Sequence, residues 1–225
     1  MEVFICDLNK VSGNQGLIEK YTQLLPKHEL DYYHSTILPK RKIQFLLGRS
    51  IIRTKLSEIL KIPTQDIVIT KTPNGKLELA DKSLYFNISH SEDMVAVAIH
   101  DEPVGIDMEF IRMRDFDNVA DKYFSREEAS LIRSIKNDQA KKEQFYICWT
   151  RLEAFIKCGG KKISTISKQQ EFASGYGFKS FYEGNYIISV AYEGGGSLNE
   201  VLIYSTIPLE MNDKFSMRSV DSILE

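Results

Sequence analysis

Apolar and polar positions change period several times along the chain, and each change marks an element. The start from Met1 to Asp7 is too short and too acidic for a secretory leader and reads as an opening strand. A short helix is expected over about residues 12–25. A long one is expected over about residues 39–60, where Ile43, Leu46, Leu47, Ile51 and Leu60 suit an apolar face. On that helix Lys42, Arg49 and Arg53 fall within about 40° of one another at about 100° per residue, a basic stripe with no acid interleaved. Residues 67–70 and 76–79 flank Pro73-Asn74-Gly75, a hairpin signal whose Asn-Gly step supplies positive φ angles. Strands follow at residues 84–90, 94–100 and 104–110.

A helical middle is expected over about residues 117–157. Within it Ser125-Arg126-Glu127-Glu128 has the form of a capping box, and Cys158-Gly159-Gly160 supplies a glycine stop. Strands return at residues 178–182 and 186–192 around Glu183-Gly184-Asn185, and again at 201–207. Gly194-Gly195-Gly196-Ser197 reads as a flexible run, and the tail beyond Ile207 is expected to be partly disordered. Helices precede strands in each half, which predicts an α+β fold of two similarly built halves. These are an N-terminal half, residues 1–102, and a C-terminal half, residues 103–225, meeting near Asp101-Glu102-Pro103.

Composition narrows the function classes. A net charge of −2 over 225 residues gives no global argument for nucleic acid or membrane as a partner. No apolar run approaches the roughly 20 residues needed to span a bilayer. Cys6, Cys148 and Cys158 have no metal-type spacing and leave an odd thiol, which favours a reduced, cytoplasmic protein. His28, His34, His90 and His100 are too scattered to suggest zinc, so a hard metal is favoured.

The chemistry concentrates on three acids. Asp107 and Glu109 lie two apart on a strand that alternates apolar and acidic residues, so their carboxylates share a face. Paired carboxylates in apolar surroundings repel each other and lose hydration, unless a cation sits between them. Glu153 belongs to a helical stretch on which Trp149, Glu153 and Lys157 are spaced i, i+4, i+8 and line one face. A divalent ion that prefers oxygen ligands, such as Mg²⁺, accounts for all three acids. A solvated strand face accounts for the first two alone.

Four blocks occur in order: Asn74-Gly75-Lys76, Phe86-Asn87-Ile88-Ser89-His90-Ser91, Gly105-Ile106-Asp107-Met108-Glu109, and the stretch from Trp149 to Lys157 reading Trp-Thr-Arg-Leu-Glu-Ala-Phe-Ile-Lys. Together they resemble the 4′-phosphopantetheinyl transferases of the Sfp type. The likeness extends to Phe45-Leu46-Leu47-Gly48-Arg49 and to Tyr123-Phe124-Ser125-Arg126-Glu127-Glu128, and so runs over about residues 40–165. The resemblance implies two halves related by a pseudo-two-fold, with the active site in the cleft between them. It implies Mg²⁺-dependent transfer of the phosphopantetheine arm of coenzyme A to a serine of an apo acyl or peptidyl carrier protein, releasing adenosine 3′,5′-bisphosphate. Asp107, Glu109 and Glu153 would hold the metal. Lys157 would reach the phosphates, the rival reading being an ion pair with Glu153. His90, with Ser89 nearby, would meet the 3′-phosphate, and Lys76, Arg49 and Arg53 would line the coenzyme site. Glu128 would act as general base on the carrier serine, although its place in a capping box needs no catalytic role. Two joined halves fit a monomer.

Three positions depart from the family pattern. Leu152 stands where relatives carry lysine, Gln44 where many carry a basic residue, and Leu77 where proline follows the lysine. Leu152 completes the apolar stripe Phe145, Cys148, Trp149, Leu152, Ile156, and against the family pattern it is a phosphate-facing cation lost. Leu152→Lys is therefore expected to hold or raise activity; a collapse with loss of stability would place the position in the core. The alternative to an active transferase is a coenzyme A- and carrier-binding protein with little turnover; a Mg²⁺-dependent phosphohydrolase is a weaker third reading.

Overall fold

The computed structural model of the chain describes residues 1–161, 175–194 and 201–205 and the backbone of residues 214–215. The glycine run beyond Gly194 and the tail beyond residue 207 lie outside the described residues, apart from that backbone. The structure is α+β and divides into two compact units after Asp101.

The first unit contains strands β1 (Glu2–Asp7), β2 (Ile69–Lys71), β3 (Leu77–Leu79), β4 (Tyr85–Ser91) and β5 (Met94–His100). Its helices are α1 (Gln15–Thr22), α2 (Lys27–Ser35) and α3 (Pro39–Leu60). β1 lies between β5, antiparallel, and a parallel strand from far along the chain, Leu202–Ser205. That strand was expected in the C-terminal half, yet it joins this sheet through Glu2↔Leu202 to Ile5↔Ser205. α3 lays Leu46, Leu47, Ile51, Ile52 and Leu56 onto Phe4, Cys6, Phe86, Val95, Val97 and Ile99 of the sheet. It starts with proline at its first turn and stops where Lys61 turns left-handed at φ 58°.

α2 was not anticipated. It covers one side of α3, which is why the expected basic stripe is not a surface stripe. Arg53 has no exposed surface. Its Nε donates to Glu29 Oε2 at 2.7 Å, and its Nη1 donates to the carbonyls of Thr64 at 2.7 Å and Ile67 at 3.0 Å. The expectation that Arg53 contacts coenzyme is therefore corrected: its guanidinium ties α2 and the segment after α3 to α3. Lys42 lies over the Tyr33 ring. Between β2 and β3 the turn closes through Gly75 N–H to Thr72 O at 2.8 Å, and Gly75 alone of the Asn-Gly pair takes a positive φ, 92°.

The second unit holds β6 (Val104–Phe110), β7 (Tyr176–Glu183) and β8 (Tyr186–Glu193) in the order β6-β8-β7, all antiparallel. Its helices are α4 (Phe116–Tyr123), α5 (Arg126–Ser134) and α6 (Asp138–Cys158). α6 is packed against the sheet on one side and on another against Phe116 of α4, Phe124 just after it, and Ala129 and Ile132 of α5. Asn137 caps its start by accepting from Ala140 N–H at 2.9 Å. After Cys158 the chain leaves the helix, with Gly160 left-handed at φ 61°.

Candidate functional site

One close approach positions the acids of the second unit. On β6, Gly105, Asp107 and Glu109 share a face. A Cβ built at Gly105 would overlap the carbonyl oxygen of Ala154 and the amide nitrogen of Cys158, both on α6. Glycine thus lets the helix backbone lie directly on the strand, and Asp107, the next residue on that face, meets the last turns of α6. Lys157 Nζ donates to Asp107 Oδ1 at 2.6 Å, so this lysine reaches across to the strand rather than merely pairing along its own helix with Glu153. Asp107 is 5% exposed. Burial first, then the charge on Asp107, raises the Glu153 carboxyl above the ordinary carboxylate range; Lys157 opposes this and Glu109 adds to it.

Asp107, Glu109 and Glu153 therefore act on one another electrostatically across β6 and α6. As they stand they do not close into a ready-made cage: among the described residues no three His, Cys, Asp or Glu groups are arranged to hold a metal ion. The donor chemistry nonetheless fits a hard divalent cation. All three are oxygen ligands, and a shared cation would relieve the repulsion that adds to the effect of burial at Glu153.

Behind the acids lies a polar seam that the sequence reading missed. Ser189 of β8 is the register partner of Asp107, and Ser180 of β7 is the partner of Ser189. Thr150 Oγ1 lies 2.7 Å from Ser189 Oγ, Ser180 Oγ lies 2.9 Å from Ser189 Oγ, and Arg151 Nε donates to Ser180 Oγ at 2.9 Å. Thr150, Ser180 and Ser189 have no exposed surface, so these bonds fix α6 in rotation and height over the sheet. The available signal was Ser189, a small polar residue inside the otherwise apolar stretch from Tyr186 to Tyr192.

Leu152 is 7% exposed and packs within the cluster formed by Phe145, Cys148 and Ile156. The apolar-stripe reading is the one the packing supports, so position 152 is not a vacant phosphate contact. Leu152→Lys is expected to lower stability by about 2–4 kcal/mol, because the ammonium must be buried or the core opened. Thermal unfolding of the variant checks this; an unchanged melting temperature would mean the side chain escapes to solvent.

Glu128 completes the expected capping box. Its N–H donates to Ser125 Oγ at 3.1 Å, and its Oε2 accepts from Ser125 N–H at 3.0 Å. Its Oε1 makes no hydrogen bond among the described residues. The described cysteines are all free and buried. Burial pushes Cys6 up to about 12 and Cys148 up to about 11, which excludes both as thiolate nucleophiles near neutral pH.

Of the coenzyme-site candidates, all in the first unit, Arg49 lines two adjoining cavities and His90 the larger of them. The larger, about 670 Å³, is lined by Tyr32, Arg41, Gln44, Phe45, Arg49 and His90 among others. The smaller, about 450 Å³, shares Tyr32, Phe45, Arg49 and Leu77 with it and adds Glu29 and Lys71. Arg49 Nε stands 3.5 Å from Glu29 Oε1, and its guanidinium lies over the Phe45 ring. Burial lowers Arg49 below the ordinary guanidinium range, Glu29 opposes that, and Arg53 adds to it. Ser89 is buried at 5% exposure while His90, the next residue of β4, is exposed. Lys76 leads into β3 half-buried, its N–H bonded to Thr72 Oγ1 at 3.0 Å. Among the described residues no helix is long and apolar enough to cross a membrane.

Comparison with known proteins matches both parts of the chain to one family. A profile described as the 4′-phosphopantetheinyl transferase superfamily matches residues 103–188, and one described as the N-terminal part of 4′-phosphopantetheinyl transferase matches residues 15–102. The 4′-phosphopantetheinyl transferase gsp of Aneurinibacillus migulanus is 38% identical over 116 residues, covering 52% of this chain and 48% of that protein. The 4′-phosphopantetheinyl transferase psf-1 of Bacillus pumilus is 37% identical over 122 residues, 53% of this chain and 51% of that protein. The 4′-phosphopantetheinyl transferase HetI of Nostoc is 29% identical over 160 residues, 68% of this chain and 67% of that protein. The chain spans about half the length of the first two of these curated relatives.

Proposed function

This chain belongs to the 4′-phosphopantetheinyl transferase superfamily, and on that footing we propose that it transfers the phosphopantetheine arm of coenzyme A to a serine of an apo acyl or peptidyl carrier protein, releasing adenosine 3′,5′-bisphosphate. The observation that carries the reading is the meeting of strand and helix acids: Lys157 on Asp107, with Glu153 raised by burial and then by Asp107 and Glu109. Asp107, Glu109 and Glu153 would hold Mg²⁺, which supplies neutralisation of the negative charge on the diphosphate of the coenzyme. Lys157, whose side chain is 30% exposed, would offer its ammonium to the same oxygens when a cation takes its place at Asp107. The seam of Thr150, Ser189 and Ser180 holds α6 in position, which matters because phosphoryl transfer depends mainly on placement.

Glu128 is assigned as the general base that takes the proton of the carrier serine, through the oxygen its cap leaves unused. Glu128→Gln keeps an acceptor for Ser125 N–H, so it separates the two roles. Turnover is expected to fall about 100-fold or more with an unchanged melting temperature. Full turnover in Glu128→Gln would leave capping as the residue's whole role. On the coenzyme side, His90, Ser89, Lys76 and Arg49 line the nucleotide site, and Arg53 holds the framework behind them. The free, buried cysteines are in keeping with a reducing, cytoplasmic setting.

Incubation with coenzyme A, Mg²⁺ and an apo carrier protein, read by intact mass, tests the proposal. The carrier is expected to gain one phosphopantetheine. Coenzyme binding without modification of several carriers would support a binding protein instead, and cleavage of the diphosphate without a carrier would support a hydrolase.

A further inference from the structure

The larger cavity of the first unit contains a cation that no motif accounts for. Arg41, on the first turn of α3, extends its Nη1 to within 2.8 Å of His90 Nε2 and 3.1 Å of His90 Nδ1. Its other contact is Gln44 Oε1 at 3.5 Å, so among the described residues it has no carboxylate partner. The nearby acids are engaged elsewhere: Lys40 takes both Glu92 and Asp93. Gln44 is buried at 5% exposure and is itself anchored, donating from Nε2 to the carbonyl of Glu92 at 2.9 Å. A guanidinium offers only donors, and here it rests on a neutral amide and an imidazole at the mouth of a cavity of about 670 Å³. Such a fork is geometrically suited to two phosphate oxygens.

We propose that Arg41 binds the 3′-phosphate of the coenzyme together with His90, and so supplies from one helical turn earlier the positive charge that Gln44 does not carry. Gln44 is then a positioning residue: it aims Arg41 at His90 from a fixed, buried anchor. The charge has moved along α3 rather than vanished. This accounts for how a site with an uncharged residue at position 44 can still select a phosphomonoester. The inference rests on the coenzyme A reading above, and its test separates the two.

Binding of coenzyme A and of 3′-dephospho-coenzyme A is measured by titration calorimetry for the wild type and for Arg41→Gln. The wild type is expected to prefer coenzyme A by about tenfold or more. Arg41→Gln is expected to bind coenzyme A about 10- to 100-fold more weakly while changing the dephospho compound by less than about threefold, as for loss of a charge-assisted contact. Because Arg41 is exposed, the variant should fold, and its melting curve confirms that. If Arg41→Gln keeps the full preference, the assignment is overturned. A wild type that binds coenzyme A and transfers from it without preferring the 3′-phosphate also overturns it, leaving the transferase reading intact. Failure of the wild type to bind either compound sinks both.

Discussion

Glu153→Ala is expected to lower carrier modification by about a thousandfold or more, equivalent to roughly 4 kcal/mol of lost transition-state stabilisation. The protein should melt at the same temperature or higher. Glu153 is partly buried beside Asp107 and Glu109, and burial and like charge both act against its ionised form. Removing it relieves that repulsion, whereas removal of an ordinary surface glutamate would change little. Loss of function with held or improved stability marks a residue kept for chemistry rather than folding. Measured turnover and a thermal melt on the same sample decide this. Near-normal turnover would remove Glu153 from the site, and a large drop in melting temperature would make it structural.

Gly105→Ala is expected to act in the opposite way, damaging the fold first. The added methyl would meet backbone, the Ala154 carbonyl and the Cys158 amide, and backbone in a helix held by buried hydroxyl bonds cannot swing aside as a flexible side chain would. Separating α6 from β6 would also pull Lys157 from Asp107. A loss of about 4 kcal/mol or more is expected, at the severe end for a single methyl. The readouts are the chemical denaturation midpoint and carrier modification at low temperature. A variant with wild-type stability and activity would show that the close approach is not needed.

How much of this was legible in the sequence differs from element to element. β6 and α6 could be read because their signals are local: alternation from Val104 to Phe110, a capping box ahead of α5, and glycines after Cys158. Bringing Asp107 to Glu153 followed from two periodicities, but the reason they can approach, Gly105, appeared only as one letter of a motif. α2 escaped because its buried residues include Glu29, and a buried acid is invisible to a hydrophobic pattern. That one omission misplaced Arg53, since a cation expected to line the coenzyme site had a helix lying over it. The pairing of β1 with Leu202–Ser205 joins segments about 200 residues apart, and no local pattern encodes such a register. Gln44 was read as a lost charge, and the approach of Arg41 to both Gln44 and His90 shows only in three dimensions.

The most direct measurement is the anomalous scattering from a crystal grown with coenzyme A and Mn²⁺ in place of Mg²⁺. A single manganese peak bonded to carboxylate oxygens of Asp107, Glu109 and Glu153 is the predicted result, with Lys157 moved off Asp107. A peak held by other side chains, or those acids outside the metal's ligand set while coenzyme is bound, would contradict the account.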